Sequence, residues 1–489
     1  MRWHQPLFAA ALLVALAACA DDDLPTSANP RVPESPRVSM DPTTARVVAY
    51  FPTWDGNVNN IPYSKLTHII YAFALPTGSG GLTNIPMSGD TRLSSLVSQA
   101  HAAGVKVLIS VGGWNNTNDS IFGQMSSSST TRTAFVNNVS TFISNYGLDG
   151  VDIDWEYPNT STESANFAAL MSELGTAMHS NGKLLTAAVA ATGSSADGIL
   201  TEVFDDVDFL ILMAYARSTV PHSPYSYAVE ALDYWANRGL PQSKRVLGVP
   251  FYGKNASGAN QPYRWLVKNY AYAPNTDSAG GYWYNGIATM KQKTTLSLQR
   301  GSGVGIWELS NDTTLSSISL LQAVQDAMNS PVPPYDYTKV VYDEALNGWA
   351  DWSWSTTRNF ASTAQAHAGT KSIAVTYTAA WGGLYLHYGA GVNPYGLSKL
   401  EFWIHGGSSG GQQMVVKLGE PGTSTHWLPA VSLNTYNACG AVTANTWCKV
   451  SIPLSALGVT TALITELEVQ DNSGAAQPTY YLDDVRFIP

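Results

Sequence analysis

Apolar residues along this chain follow two regimes that change near residue 330. Before it, short runs that are apolar nearly throughout alternate with stretches whose apolar residues recur at i, i+3 and i+4. The runs at 46–51, 67–73, 105–111, 149–155, 184–190, 207–214, 245–250 and 303–308 predict eight strands. Leu93, Leu96 and Ala100 predict a helix before the third, and Phe135, Val139, Phe142 and Ile143 another before the fourth. Strands without a polar face must be covered on both sides, which points to a parallel sheet, and eight βα units is the number that closes a barrel. The expected fold class is α/β, a (β/α)8 TIM barrel. A doubly wound sheet is the alternative, but no G-x-G-x-x-G follows the first strand. The segment 251–302 must hold a seventh helix, near 287–299, and leaves room only for a small insertion.

After residue 330 the period becomes two. Segments 371–377, 399–404, 412–418 and 480–488 alternate apolar and polar between Gly, Ser and Asn turns, so an all-β antiparallel sandwich should follow the barrel. Residues 406–410 (GGSSG) match G-x-S-x-G, yet they join two strand-like runs, where a nucleophile elbow needs a strand and then a helix. A hairpin tip is the better reading. The expected organisation is a signal segment over 1–19, a Pro- and Asp-rich linker over 20–44, the barrel over 45–329, a Pro-rich linker over 330–339 and the sandwich over 340–489.

Charge and composition narrow the partners. Among 489 residues, Lys+Arg minus Asp+Glu is 26 − 36 = −10, so no basic surface is offered to a phosphate backbone and nucleic acid is not expected. With 15 Trp and 25 Tyr but only 13% charged residues, the surface suits flat, uncharged ligands such as sugar rings, although an aromatic core would give the same count. Near the N-terminus, Arg2 precedes an apolar run (7–18) too short to span a bilayer. Leu16-Ala17-Ala18-Cys19 then resembles the bacterial lipoprotein box, which implies lipid on Cys19 and an exported protein anchored at the cell envelope. An ordinary cleaved signal, giving a secreted protein, is the alternative. Membrane association is expected only through that anchor, and the protein is expected to be a monomer. Cys439 and Cys448 are then left close enough in sequence to bridge in an oxidising compartment. Two cysteines without a nearby His pair cannot fill a zinc shell, so no metal is expected there.

The densest chemistry is Asp149-Gly150-Val151-Asp152-Ile153-Asp154-Trp155-Glu156-Tyr157-Pro158. Alternation along a strand puts Asp152, Asp154 and Glu156 on one face and Val151, Ile153 and Trp155 on the other. In a parallel barrel the acidic face points inward at the C-terminal mouth. Three crowded carboxylates cannot all ionise cheaply, so at least one should hold its proton near neutral pH. Glu156, last in the row, is the candidate general acid. Ion pairing is the competing account, but it must bury three negative charges without local Lys or Arg; a hard cation could also occupy the row.

This string resembles the D-x-x-D-x-D-x-E signature of glycoside hydrolase family 18, the chitinases and related endo-N-acetylglucosaminidases. Ser110-Val111-Gly112-Gly113-Trp114 resembles the family's S-x-G-G, and the likeness spans roughly 46–328. It implies a retaining, substrate-assisted reaction without a cofactor, in which the sugar's own 2-acetamido oxygen attacks the anomeric carbon. By that resemblance Glu156 is the acid and then the base. Asp154 holds the acetamido N–H, and Asp152 shares a proton with it, supported by Tyr50 and Ser110. Tyr215, in Met213-Ala214-Tyr215, orients the acetamido oxygen. Trp307 is the floor under the sugar, Met213 lines the substrate site, and Trp114 stacks on the aglycon side. The family usually shows M-x-Y-D, whereas Ala216 stands here, with Arg217 and His222 nearby to compensate. The implied substrate is chitin, or another N-acetylglucosamine-containing polysaccharide, cut internally. An endo-β-N-acetylglucosaminidase acting on N-glycans and a chitin lectin are the rival readings.

Residues 340–489 resemble jelly-roll carbohydrate-binding modules through Tyr342-Asp343-Glu344 and Tyr481-Leu482-Asp483-Asp484-Val485. Trp349, Trp352, Trp354, Trp381, Tyr385 and Tyr388 are the candidate stacking platforms. A structural calcium is a further expectation, with Asp343, Glu344 and Asp483 as ligands.

Overall fold

The computed structural model describes residues 44–84, 91–114, 118–421, 426–460 and 462–489. Cys19, the expected signal segment and residues 20–43 of the expected linker lie outside the described residues. The eight barrel strands are β1 (Arg46–Pro52), β2 (His68–Pro76), β3 (Lys106–Gly112), β4 (Gly150–Asp154), β5 (Leu184–Ala190), β6 (Phe209–Met213), β7 (Arg245–Pro250) and β8 (Gly303–Trp307). Each pairs in parallel with the next, and β1 pairs with β8 from Arg46↔Gly303 onward, so the sheet closes.

Helices α1 (Arg92–Ala102), α2 (Ser129–Tyr146), α3 (Ser161–His179), α4 (Tyr225–Asn237) and α5 (Ile287–Arg300) lie among those wrapping the outside. The periodic residues Leu93, Leu96 and Ala100 and then Phe135, Val139, Phe142 and Ile143 are buried, as amphipathic helices against a sheet require. Alternate strand residues pack outward against them, among them Val107, Ile109, Val151 and Ile153. A smaller inner cluster of Val48, Ile70, Leu108, Phe209, Ile211 and Val246 fills the barrel. Four strands start later than the apolar runs suggest, two of them after an aspartate. Asp149 and Asp208 turn their carboxylates onto the neighbouring strands, accepting the N–H groups of Val107 and Leu185 at 2.8 Å each.

The segment between β7 and β8 holds a four-stranded sheet (Asn260–Pro262, Tyr252–Asn255, Tyr282–Trp283, Ser278–Ala279) and the helix Tyr263–Asn269 before α5. Tyr263 and Tyr284 are buried, and Trp265 and Tyr282 pack against the core. These aromatics hold the insertion together; the cleft described below is lined instead by Tyr252, Lys254 and Asn260.

Residues from Lys339 onward form two antiparallel sheets. One runs Thr356–Ser362, Ser372–Tyr377, Gln477–Ile488, Lys399–His405, Trp447–Pro453; the other runs Ala350–Asp351, Gly383–Val392, Ile464–Asp471, Met414–Glu420, His426–Trp427. Their inner faces meet over Ile373, Val375, Leu400, Phe402, Val416, Leu467 and Leu482. Cys439 and Cys448 form a disulfide. Residues 407–409 are a turn with no helix after it, which fits the hairpin reading of GGSSG.

The segment joining the two parts is held to the barrel by cations. The Arg300 guanidinium, at the end of α5, pairs with Asp233 of α4 and lies 4.7, 5.1 and 5.5 Å from the rings of Tyr335, Tyr337 and Tyr395. Arg245, the first residue of β7, lies 5.7 Å from the ring of Tyr395. Both arginines are at the N-terminal face of the barrel, so the sandwich docks on the side away from the strand C-termini.

Candidate active site

The C-terminal mouth opens into a cleft of about 560 Å³. Its floor is Trp307, the last residue of β8, which packs at 5.3 Å against Tyr50 of β1 and stacks at 5.6 Å on Phe73 of β2. Trp114 is 76% exposed at the rim, where a core residue would be covered. Met213 and Tyr215 line the wall with Asp154, Glu156, Tyr157 and Tyr252.

The carboxylate row is positioned by its backbone. Asp152 and Asp154 point into the barrel from β4 while Trp155 turns outward, stacks on Phe122 at 5.3 Å and donates its indole N–H to Asp119 at 2.7 Å. Glycines let β3 come close: at Gly112, with φ +123°, an added Cβ would lie 2.1 Å from the Asp154 carbonyl oxygen, and the Gly113 N–H donates to that oxygen at 2.9 Å. Beyond Pro158, a capping box closes α3. The Thr160 hydroxyl accepts the Glu163 N–H at 3.1 Å and the Glu163 carboxylate accepts the Thr160 N–H at 3.0 Å, pinning the loop that carries Glu156.

Each carboxylate has a different environment. Asp152 is fully buried and accepts three hydrogen bonds, from Tyr50 at 3.0 Å, Ser110 at 2.8 Å and Thr186 at 2.6 Å. Burial pushes its pKa up and these donors pull it back. Asp154 is 4% exposed, and its Oδ1 has no hydrogen-bond partner among the described residues. Burial, Glu156 and Asp152 together hold its carboxyl well above the usual range. Glu156 is half-buried and accepts the Tyr157 hydroxyl at 2.8 Å; its pKa is also raised, chiefly by burial.

Ser110 is wholly buried, does not line the cleft, and donates to Asp152. Thr186 and Tyr157 were not legible as site residues. Thr186 looks like one more β-branched strand residue, and alternation assigns Tyr157 to the face away from Glu156. Phe73 likewise ends an apolar run without a motif. Ala216 has φ +60°, and its N–H donates to Nδ1 of His222 at 3.1 Å. Burial depresses the His222 pKa to about 4, so this imidazole is neutral and supplies no replacement charge.

On the sandwich, Trp349 is core and Tyr388 packs beside it. Trp352, Trp354 and Trp381 are 52%, 38% and 56% exposed. Tyr385 lies among them, 5.7 Å from Trp352, 5.9 Å from Trp354 and 5.3 Å from Trp427. The expected calcium ligands are already engaged: Asp483 accepts the N–H groups of His367, Ala368 and Asp484, Asp343 that of Glu344, and Glu344 that of Thr370. Among the described residues no three His, Cys, Asp or Glu side chains form a group that could hold a metal ion.

Comparison with known proteins gives two matches within the chain. The family described as "Glycosyl hydrolases family 18" matches residues 46–365, and "Carbohydrate binding domain 30" matches 337–489. A probable endochitinase of Caenorhabditis elegans is 35% identical over 188 residues, 32% of this chain and 30% of that protein. An endochitinase of Manduca sexta is 29% identical over 300 residues, 51% of this chain and 54% of that one. The chain thus spans about half or less of the length of these curated relatives. The crystal structure of a family 18 chitinase from the chitin utilization locus of Flavobacterium johnsoniae matches with a TM-score of 0.53 and 27% identity, covering 58% of this chain and 94% of that one.

Proposed function

Because the chain belongs to glycosyl hydrolase family 18, we propose that it is a retaining endo-acting hydrolase that cuts β-1,4 linkages of N-acetylglucosamine chains, with chitin as substrate. The observation that carries this reading is the buried, unpartnered Oδ1 of Asp154 beside Glu156 in the cleft. A buried acceptor without a donor costs free energy until one arrives, and an acetamido N–H is such a donor. Ordinary glycosidases use a second carboxylate as nucleophile or base. Here the other cleft carboxylate among the described residues is Asp154, which is buried and whose pKa is raised well above the usual range by burial, Glu156 and Asp152.

The chemistry then runs through the substrate. Glu156, whose raised pKa suits a proton donor, protonates the glycosidic oxygen as the acetamido oxygen bonds to C1 and the leaving sugar departs. Tyr215 donates to that acetamido oxygen, and Asp154 accepts its N–H and balances the positive oxazolinium ion. Water then attacks C1 as the bond from C1 to the acetamido oxygen breaks and the acetamido group is restored; the water gives its proton to Glu156, and the product keeps its anomeric configuration. Trp307 supplies the apolar floor. The exposed aromatics of the sandwich support a second contact with polysaccharide, and the Cys439–Cys448 disulfide supports an oxidising compartment.

Hydrolysis of chitin oligosaccharides beside a high-mannose glycopeptide, with wild type and Glu156→Gln, tests the reading. Release of N-acetylglucosamine oligomers with retained configuration, falling about 10²–10⁴-fold in the variant, is expected. Inverted products refute the mechanism, glycopeptide cleavage alone moves the assignment to N-glycans, and binding without turnover makes the protein a lectin.

A further inference from the structure

The cleft wall built by the loops after β6 and β7 is cationic. Arg217 and Lys254 both line it, next to Thr192, Tyr227 and Asn260, in a chain whose net charge is −10. Neither is paired with a carboxylate among the described residues. The Arg217 guanidinium lies 4.9 Å from the Tyr227 ring centroid, and the Lys254 ammonium reaches only the backbone oxygens of Ala216 and Arg217, at 3.5 and 3.4 Å. Ala216 brings no charge between them, and His222 behind it is neutral. The two acids across the cleft, Asp154 and Glu156, both have raised pKa values, so they offset these cations only partly.

From this we infer that Arg217 and Lys254 form a charge-selective subsite, which favours N-acetylhexosamine chains carrying carboxylate substituents and rejects chains with free amino groups. The inference rests on the proposed hydrolase reading for its backbone substrate, but its charge preference stands on the wall itself. A carboxylate about 4 Å from one cation in a wet cleft gains roughly fivefold in binding, and an ammonium loses as much. Arg217, stacked on a ring and presenting a planar fork of donors, is the better placed of the two for bidentate contact.

Three soluble polymers with one backbone separate the charges: carboxymethyl chitin, glycol chitin and partly deacetylated chitin. Wild type should show a kcat/KM ratio of carboxymethyl to partly deacetylated polymer that falls about 25-fold for each of Arg217→Gln and Lys254→Gln, about fivefold from each of the two charges compared. In wild type alone the ratio should also fall as salt rises from about 0.02 M to about 0.5 M, since surface charges are screened. A ratio that neither variant nor salt moves overturns the subsite, and the salt arm stands even where a variant misfolds. If no polymer is cut, the hydrolase reading fails. Calorimetric binding of the same three polymers to Glu156→Gln, at both salt levels, then decides the charge preference by itself: equal affinities refute it.

Discussion

Thr186→Val is the sharpest probe of the carboxylate row. The threonine hydroxyl is buried and donates at 2.6 Å to Oδ1 of Asp152, whose other oxygen takes the donors from Tyr50 and Ser110. Valine keeps the shape and the β-branch and removes only that donor. A hydrogen bond to a charged group is worth about 1.5–3 kcal/mol, and one pKa unit is about 1.4 kcal/mol, so the Asp152 carboxylate should lose about 1–2 units of stabilisation. The direction follows from which form the donor favours. It favours the anion, so without it Asp152 protonates at higher pH, beside an Asp154 whose own pKa is already raised. The acid limb of the kcat profile should therefore move up by about 1–2 pH units, while the alkaline limb, set by Glu156, stays in place. Hydrolysis of a soluble chitin oligosaccharide between about pH 3 and 9 reads this directly. Superimposable profiles, or a shift of the alkaline limb alone, would show that Asp152 does not govern the proton in the row.

Other perturbations test the frame around the site. Lys293 is fully buried, donates to the Ser223 carbonyl and hydroxyl and to Asn285, and has its pKa lowered to about 7. Between about pH 7 and its unfolded value the unfolded chain binds the extra proton, so stability rises with pH. Denaturant unfolding should show this contribution, at most about 1.4 kcal/mol per pH unit, missing from Lys293→Met. Arg300→Met removes the pair with Asp233 and the contacts with three tyrosines at a cost of about 3 kcal/mol. Faster proteolytic cleavage within 330–339 is expected, and an unchanged rate would mean that the arginine does not hold that segment. Trp354→Ala with Trp381→Ala should weaken retention of the full chain on insoluble chitin by about 1–2 kcal/mol without changing turnover of short soluble oligosaccharides.

The sequence by itself determined the barrel, the sandwich and the acidic row, because these rest on short-range rules. Eight apolar runs at βα spacing leave little choice of sheet, and alternation alone puts Asp152 and Asp154 inside with Ile153 and Trp155 outside. Resemblance to the family led to Ser110, Tyr215 and Trp307. Tertiary structure decided whatever depends on neighbours distant in the chain. Closure sets Thr186 of β5 against Asp152 of β4 and Phe73 of β2 under Trp307 of β8, although none of these pairs is near in sequence. It also divided the aromatics, sending Tyr263, Tyr284 and Trp349 into cores and leaving Trp352, Trp354 and Trp381 at the surface. The charge of the cleft wall was equally hidden, because Arg217 and Lys254 meet only where two loops from adjacent strands converge. Periodicity reports which face of its own element a residue occupies; what that face meets is fixed only when the barrel closes.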